Sequence, residues 1–289
     1  MTENYFDIGA AQDIVRQSMN PTDAVVLPFF APVFYWTRGR PNIPEQQSGV
    51  QHFGGWQTDA VRLEEELGGD IPFERLIRET IVTGDGESYD AYVCRYLIVA
   101  TIGRRFRLTK RTLPDGSLDP QDKGRGHLQV LAYSTGFDKD NKAYIPWLPV
   151  VLSAKGMSAN SLDKVLKKWQ KVTAEARVQA GKVSSDFFWN RLGTFGKEVK
   201  KETVGKKGAQ NYITPIQLML PDKIDLDFLK KVFVGKEIAE KMGQCAEQAQ
   251  EWLHAWDKLR GTRGDKTAPN EPESPTDAPP DQTDDEAPF

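Results

Sequence analysis

The chain has 289 residues, 39% of them hydrophobic and 27% charged, with a formal net charge of −3. That length allows one large domain or two small ones, and no run of about 18 apolar residues is present to make a membrane-spanning helix. Two cysteines, Cys94 and Cys245, lie far apart in apolar surroundings, which argues against a disulfide framework and points to buried thiols in a reducing compartment.

His52, His127 and His254 have no metal-ligand spacing with one another or with the cysteines. The opening MTENYFDIGAAQDIV lacks a basic region followed by an apolar one, so no secretory leader is expected, and a cytoplasmic setting follows. The charge is uneven. From Asp265 onward there are eight acids and one base, whereas the remainder holds 37 bases and 33 acids. A mildly basic body with an acidic tail is a pattern of nucleic-acid binders, although a charge run is also an ordinary solvated segment.

Residues 1–24 are polar, with a short helix expected near Ala10–Ser18. In Val25–Trp36 the prolines at 28 and 32, after Pro21, argue against a regular helix or a central strand. A loop-like region then runs to Gly55. Trp36 and Trp56, with Arg38 and Arg40 between them, supply what single-stranded nucleic acid needs, π-faces for bases and cations for phosphates. Phe29, Phe30, Phe34 and Tyr35 read as core.

From about 74 to 153 the sequence is β-rich. Leu76–Thr83, Tyr89–Ile102, Arg104–Thr112, His127–Ser134 and Tyr144–Ser153 are broken by Gly/Asp/Asn clusters, which predicts antiparallel strands in a meander or small barrel. Leu97–Ile102 is apolar at nearly every position, so both faces should be covered, and Gly103 allows a bulge or bend. Beyond it Arg105, Arg107, Thr109 and Arg111 point one way, while Phe106 and Leu108 point the other. With Arg104 and Lys110 these make a basic stripe, read either as a phosphate-tracking face or as the charges that guard an edge strand.

Leu162–Ala180 has helical apolar spacing, with Ser161 as the expected N-cap and Trp169 on the core side. Residues 182–211 hold an aromatic cluster, Phe187, Phe188, Trp189 and Phe195, with Arg191 within it and Lys197, Lys200 and Lys201 after it, a second candidate contact for a nucleic-acid strand. Tyr212–Leu220 reads as a strand, Asp225–Phe233 as a short helix, and Lys236–Arg260 as a longer helix that Trp252 and Trp256 dock on the β core.

Enzyme signatures fail. Asp138–Asn141 is a turn, because Ala143 and Pro149 stand where a calcium loop needs Gly and Glu. The glycine–lysine segments at 193–197 and 205–208 lack the spacing of a phosphate loop, and no nucleophile elbow is present. No cofactor or metal is expected.

Residues 262–289 hold six of the 18 prolines, many acids, and no Leu, Ile, Val or Met, a composition that predicts a disordered tail. The tail ends in Asp284-Asp285-Glu286-Ala287-Pro288-Phe289. This tip, with its proline-rich acidic linker, resembles that of bacterial single-stranded-DNA-binding proteins, although Ala287 replaces a larger aliphatic residue and Glu286 the usual aspartate. The resemblance covers about a tenth of the chain. It implies that Phe289 fills an apolar pocket on a replication or repair protein while the acids meet a basic rim.

The resulting expectation is an α+β protein. Residues 1–261 form the globular domain, with an OB-like antiparallel barrel at about 74–220 and helices over 225–260. It is expected to be a non-enzymatic single-stranded-DNA binder, of phage, plasmid or other mobile-element type, that protects DNA and recruits partners through its tip. The alternatives are a recombination mediator or strand-annealing protein, and a replisome adaptor that binds no DNA. Self-association is left open, and no membrane partner is expected.

Overall fold

The computed structural model describes residues 25–37, 54–67, 76–82, 88–110, 113, 119–121, 124–136, 147–179, 187–195, 202–204 and 211–257. The expected helix near Ala10–Ser18, the loop cations Arg38, Arg40, Arg111, Lys197, Lys200 and Lys201, and the whole of 262–289 lie outside these residues.

The chain builds β1 (Val33–Thr37), β2 (Gly55–Asp59), α1 (Ala60–Leu67), β3 (Ile77–Val82), β4 (Ser88–Cys94), β5 (Tyr96–Thr109), β6 (Arg125–Thr135), β7 (Leu148–Lys155) and α2 (Met157–Gln179). There follow β8 (Trp189–Gly193), β9 (Glu202–Val204), β10 (Asn211–Ile213), β11 (Gln217–Leu218), α3 (Leu226–Val232), α4 (Lys236–Gln248) and α5 (Gln250–His254). The class is α+β. Nine strands form one curled sheet, a half-barrel, in the order β11-β8-β5-β6-β7-β1-β2-β4-β3, and β9 pairs with β10 separately. Every neighbouring pair is antiparallel except β1 with β7.

Arg95 alone separates β4 from β5. One long strand therefore serves β2 and β3 with its first half and β6 and β8 with its second. This draws the two halves of the sheet towards each other. The Trp56 indole donates to the Leu192 carbonyl at 2.9 Å, and the Thr194 amide donates to the Arg95 carbonyl at 2.9 Å. Gly193 is required at this crossing, since a Cβ there would collide with the Arg95 carbonyl oxygen.

Strand alternation fills the inside of the curl. Phe34, Trp36, Trp56, Leu97, Val99, Leu128, Val130, Val150, Leu152 and Leu192 point inward, and α2 closes over them with Ala159, Leu162 and Leu166. The outer face over β5, β6 and β7 is also covered. Leu131, Val151, Ile102 and Tyr133 pack under Cys245, Ala249, Trp252 and Leu253 of α4, α5 and the residue joining them, with segment 25–31 alongside. This double covering explains the continuous apolar run Leu97–Ile102.

The register of β5 against β6 shifts between Thr101 and Gly103. The extra residue changes the parity of the strand, so Val99 and Thr101 share the inner face with Arg104 and Phe106. Gly103 also allows close packing from above, because a Cβ there would meet Leu253 Cδ2 at 2.8 Å.

Several expectations change. β1 is a central strand between β7 and β2. Pro32 precedes the strand instead of interrupting its ladder, and its carbonyl accepts from Val151 at 3.0 Å. β2 and α1 occupy part of the sequence read as loop or left unassigned, so the sheet begins before residue 74. α2 starts at Met157, and Ser161 is not its cap; the Ser161 hydroxyl bonds the Ile216 backbone, accepting from its amide at 2.9 Å. Residues 212–220 hold the end of β10 and the two-residue β11 instead of one strand. The last helix is interrupted at Ala249, whose φ of −90° and ψ of 6° separate α4 from α5. Among the described residues no helix is long and apolar enough to cross a membrane.

Candidate nucleic-acid interface

Trp36 and Trp56 are inside the curl. Their ring centroids lie 5.0 Å apart at 72°, an edge-to-face pair. Trp36 Nε1 donates to the Thr214 carbonyl at 3.1 Å, as Trp56 Nε1 does to that of Leu192. Both indoles are buried. They present no open face to a base, which corrects their reading as stacking platforms. They share inward parity with Phe34, and that parity decides their role.

The basic stripe divides as the alternation predicted. Arg104 faces α2 and pairs with Asp163 at 2.6 Å, which Lys167 also meets at 2.8 Å. Arg105 and Arg107 face outward, but α5 and the residues after it lie over them. The Arg105 guanidinium is 3.7 Å from the Trp252 ring centroid and 4.2 Å from that of Trp256. Its Nε and Nη2 donate to Gln129 Oε1 at 2.9 and 2.7 Å, and its Nη1 donates to the Trp252 carbonyl at 3.2 Å. Arg107 lies 4.6 Å from the Trp256 ring, and His127 stacks beside the same indole at 5.2 Å. Here β5 is neither an open phosphate-tracking face nor an edge, because β8 and β6 flank it.

Cations gather at one end of the sheet. Tyr35, Ser153, Gln129 and Arg105 form a lateral row across β1, β7, β6 and β5, and Lys155, His127 and Arg107 form the next across three of them. Beyond these rows the β1–β2 connection (38–54) and the β5–β6 connection (110–124) leave the same end of the sheet. The first carries Arg38 and Arg40; the second carries Lys110, Arg111 and Lys123, with Arg125 opening β6. Lys155 and Arg125 are exposed there, and Lys110 is half-buried.

Trp189 and Arg191 stand at the other end, on the outward side of β8, opposite Ala100 and Ile98 of β5. The register brings Tyr96 to the same face, and its ring lies 5.5 Å from that of Phe195 at 34°. The Arg191 guanidinium is 5.9 Å from the Tyr96 ring and 6.0 Å from the Trp189 ring. Sequence reading found Trp189, Arg191 and the aromatic cluster that holds Phe195 but missed Tyr96, because only the β5–β8 pairing shows that it meets them.

Among the described residues no group of three or more His, Cys, Asp or Glu side chains could hold a metal ion. Burial pushes the Cys94 thiol far up. It raises Cys245 to about 11, against a smaller lowering by the Tyr133 hydroxyl. Both stay protonated near neutrality and are weak nucleophiles. No protein-family model, curated protein or solved structure matches this chain.

Proposed function

We propose that the protein binds single-stranded DNA without catalysing a reaction, protects it, and recruits replication or repair proteins through Asp284–Phe289. The observation that carries the reading is the shared exit of the β1–β2 and β5–β6 connections, with their arginines and lysines, from one end of a curled sheet. We read the sheet as OB-like. Its bent β4–β5 strand pairs antiparallel with β6, β6 with β7, β7 runs parallel to β1, β1 pairs antiparallel with β2, and β2 returns antiparallel to β4. OB barrels are small, partly open barrels of five strands that hold oligonucleotides with two such connections and an adjoining face. The chain order differs, since the β1–β2 hairpin precedes the bent strand.

Cations at that end neutralise phosphates and release counterions, so binding should weaken steeply with salt. The test is a fluorescence-anisotropy titration of a labelled oligo-dT, repeated with duplex. Saturable binding at low salt that exceeds duplex binding supports the proposal. No binding to oligo-dT at low salt overturns it and leaves an adaptor that acts through its tip alone. Annealing of complementary strands, with rings or filaments in electron micrographs, would instead identify a strand-annealing protein.

A further inference from the structure

The outer face of the sheet is closed in one part and open in another. Over β5, β6 and β7, α4, α5 and segment 25–31 bury it in a continuous apolar contact, and the guanidinium of Arg105 is held between two indoles. A nucleic-acid strand has no access to that area. Trp189, opposite Ala100, still packs with Val234 and with Met242 of α4. Among the described residues that cover does not reach the start of β5, where Tyr96, Arg191 and Phe195 are half-buried and outward, and Met219, which follows β11, is 45% exposed.

The chemistry of this open area suits unpaired bases. The Tyr96 ring on β5 and the Phe195 ring shortly after β8 lie together, with the Arg191 guanidinium 5.9 Å from the Tyr96 ring. Among the described residues no carboxylate pairs with Arg191. Its Nη1 meets only the Met219 sulfur, at 3.4 Å, and its Nε is buried without a hydrogen-bond partner. A thioether is a weak acceptor, so the guanidinium keeps its Nη donors for a phosphate. The chain runs from Phe195 directly into the segment that carries Lys197, Lys200 and Lys201.

We propose that Tyr96, Phe195 and Arg191 form a base-stacking platform for single-stranded DNA, placed at the β5–β8 side of the sheet because α4 and α5 occupy the face over β5–β7. The platform extends the reading of the chain as a DNA binder and rests on it. Rings take the π-faces of unpaired bases with little regard to sequence, and a duplex keeps those faces stacked and out of reach.

The full-length chain tests the platform. Tyr96→Ala with Phe195→Ala, and separately Arg191→Ala, are titrated with labelled oligo-dT beside the wild type, and urea midpoints check folding. The double variant should lose roughly ten- to a hundredfold in affinity, in line with stacking losses at other single-strand binders. Ultraviolet crosslinking of wild-type protein to bromouracil-substituted oligonucleotide, followed by peptide mapping, gives a readout free of mutation. Adducts on Tyr96 or Phe195 are expected. Wild-type binding with unchanged affinity in folded variants, or adducts confined to residues 38–53 and 110–124, would overturn the platform and leave DNA binding standing. Failure of the wild type to bind oligo-dT would remove both.

Discussion

The guanidinium of Arg105 rests on the indole of Trp252, 3.7 Å from its ring centroid, although 147 positions separate the two residues. The contact ties the most basic strand to the last described helix. It also converts two residues that resemble ligand-binding groups into a structural joint. Trp252→Ala should therefore lower the unfolding free energy by about 3–5 kcal/mol, the usual range for an aromatic removed from a core. Urea melts measure it. Where the variant remains folded, its oligo-dT affinity should stay near that of the wild type. A large loss of affinity with unchanged stability would show that Trp252 contacts DNA.

Charge at the sheet end should control affinity through salt. Arg38→Glu with Arg40→Glu is expected to weaken oligo-dT binding and to flatten the plot of log K against log salt. On a single strand the slope should change by roughly 0.7 for each phosphate that is no longer neutralised. Titrations at several potassium chloride concentrations give that slope. An unchanged slope would place these arginines away from the backbone of the bound strand.

The acidic segment should compete with DNA for the same cations. With eight acids and one base from Asp265 onward, it carries opposite charge to the body of the protein. Removing 265–289 should tighten oligo-dT binding at low salt and have little effect at high salt, where screening shortens the reach of the competition. Equal low-salt affinities for truncated and full-length chains would refute the competition.

Helix α3 carries a pH-dependent cap. Asp225 accepts from the Phe228 amide at 2.9 Å and meets Lys223 at 3.1 Å, and these contacts, the amide first, hold its carboxyl below the ordinary aspartate range. A lowered folded value means that the cap stabilises the helix fully above about pH 4, the ordinary aspartate pKa, and that this stability is lost as pH falls through the lower folded value. Asp225→Ala should thus melt earlier than the wild type at pH 7, with the gap closing in acid. Asp225→Asn should keep much of the cap and lose its pH dependence. A gap in Tm that stays constant from pH 7 to pH 2.5 would rule out the carboxylate as the cause.

Much of the sheet was legible because side-chain alternation is a local property. β3 falls within the segment its β-branched and aromatic run marked, β6 and β7 overlap theirs and run past them, and the turn of parity at Gly103 was readable as a place for a bulge. β2 was not readable. Its sequence, Gly-Trp-Gln-Thr-Asp, is short and bounded by Gly and Asp, which strands disfavour, and it is extended because β1 and β4 pair with it on both sides. The candidate site divides along the same line. Alternation told that Arg105 and Arg107 share a face, whereas their covering by Trp252 and Trp256 depends on a helix far along the chain. Trp36 and Trp56 looked like binding residues because they neighbour Arg and Gly, but inward parity beside Phe34 makes them core. Tyr96 carried no signal of its own; it acquires one only when β8 pairs alongside β5.

The one-residue insertion in β5 makes that strand two half-strands with independent phase. Deletion of Ile102 would remove the bulge and keep both faces as they are, whereas insertion of one further residue after Gly103 would turn Arg105 and Arg107 into the apolar interior and Phe106 out towards the helices. Charge and hydrophobicity would then oppose the same register at once. An added residue in this stretch is therefore tolerated less well than a changed side chain: many single substitutions between Tyr96 and Thr109 leave the phase intact, while one residue more exchanges the two faces of half the strand.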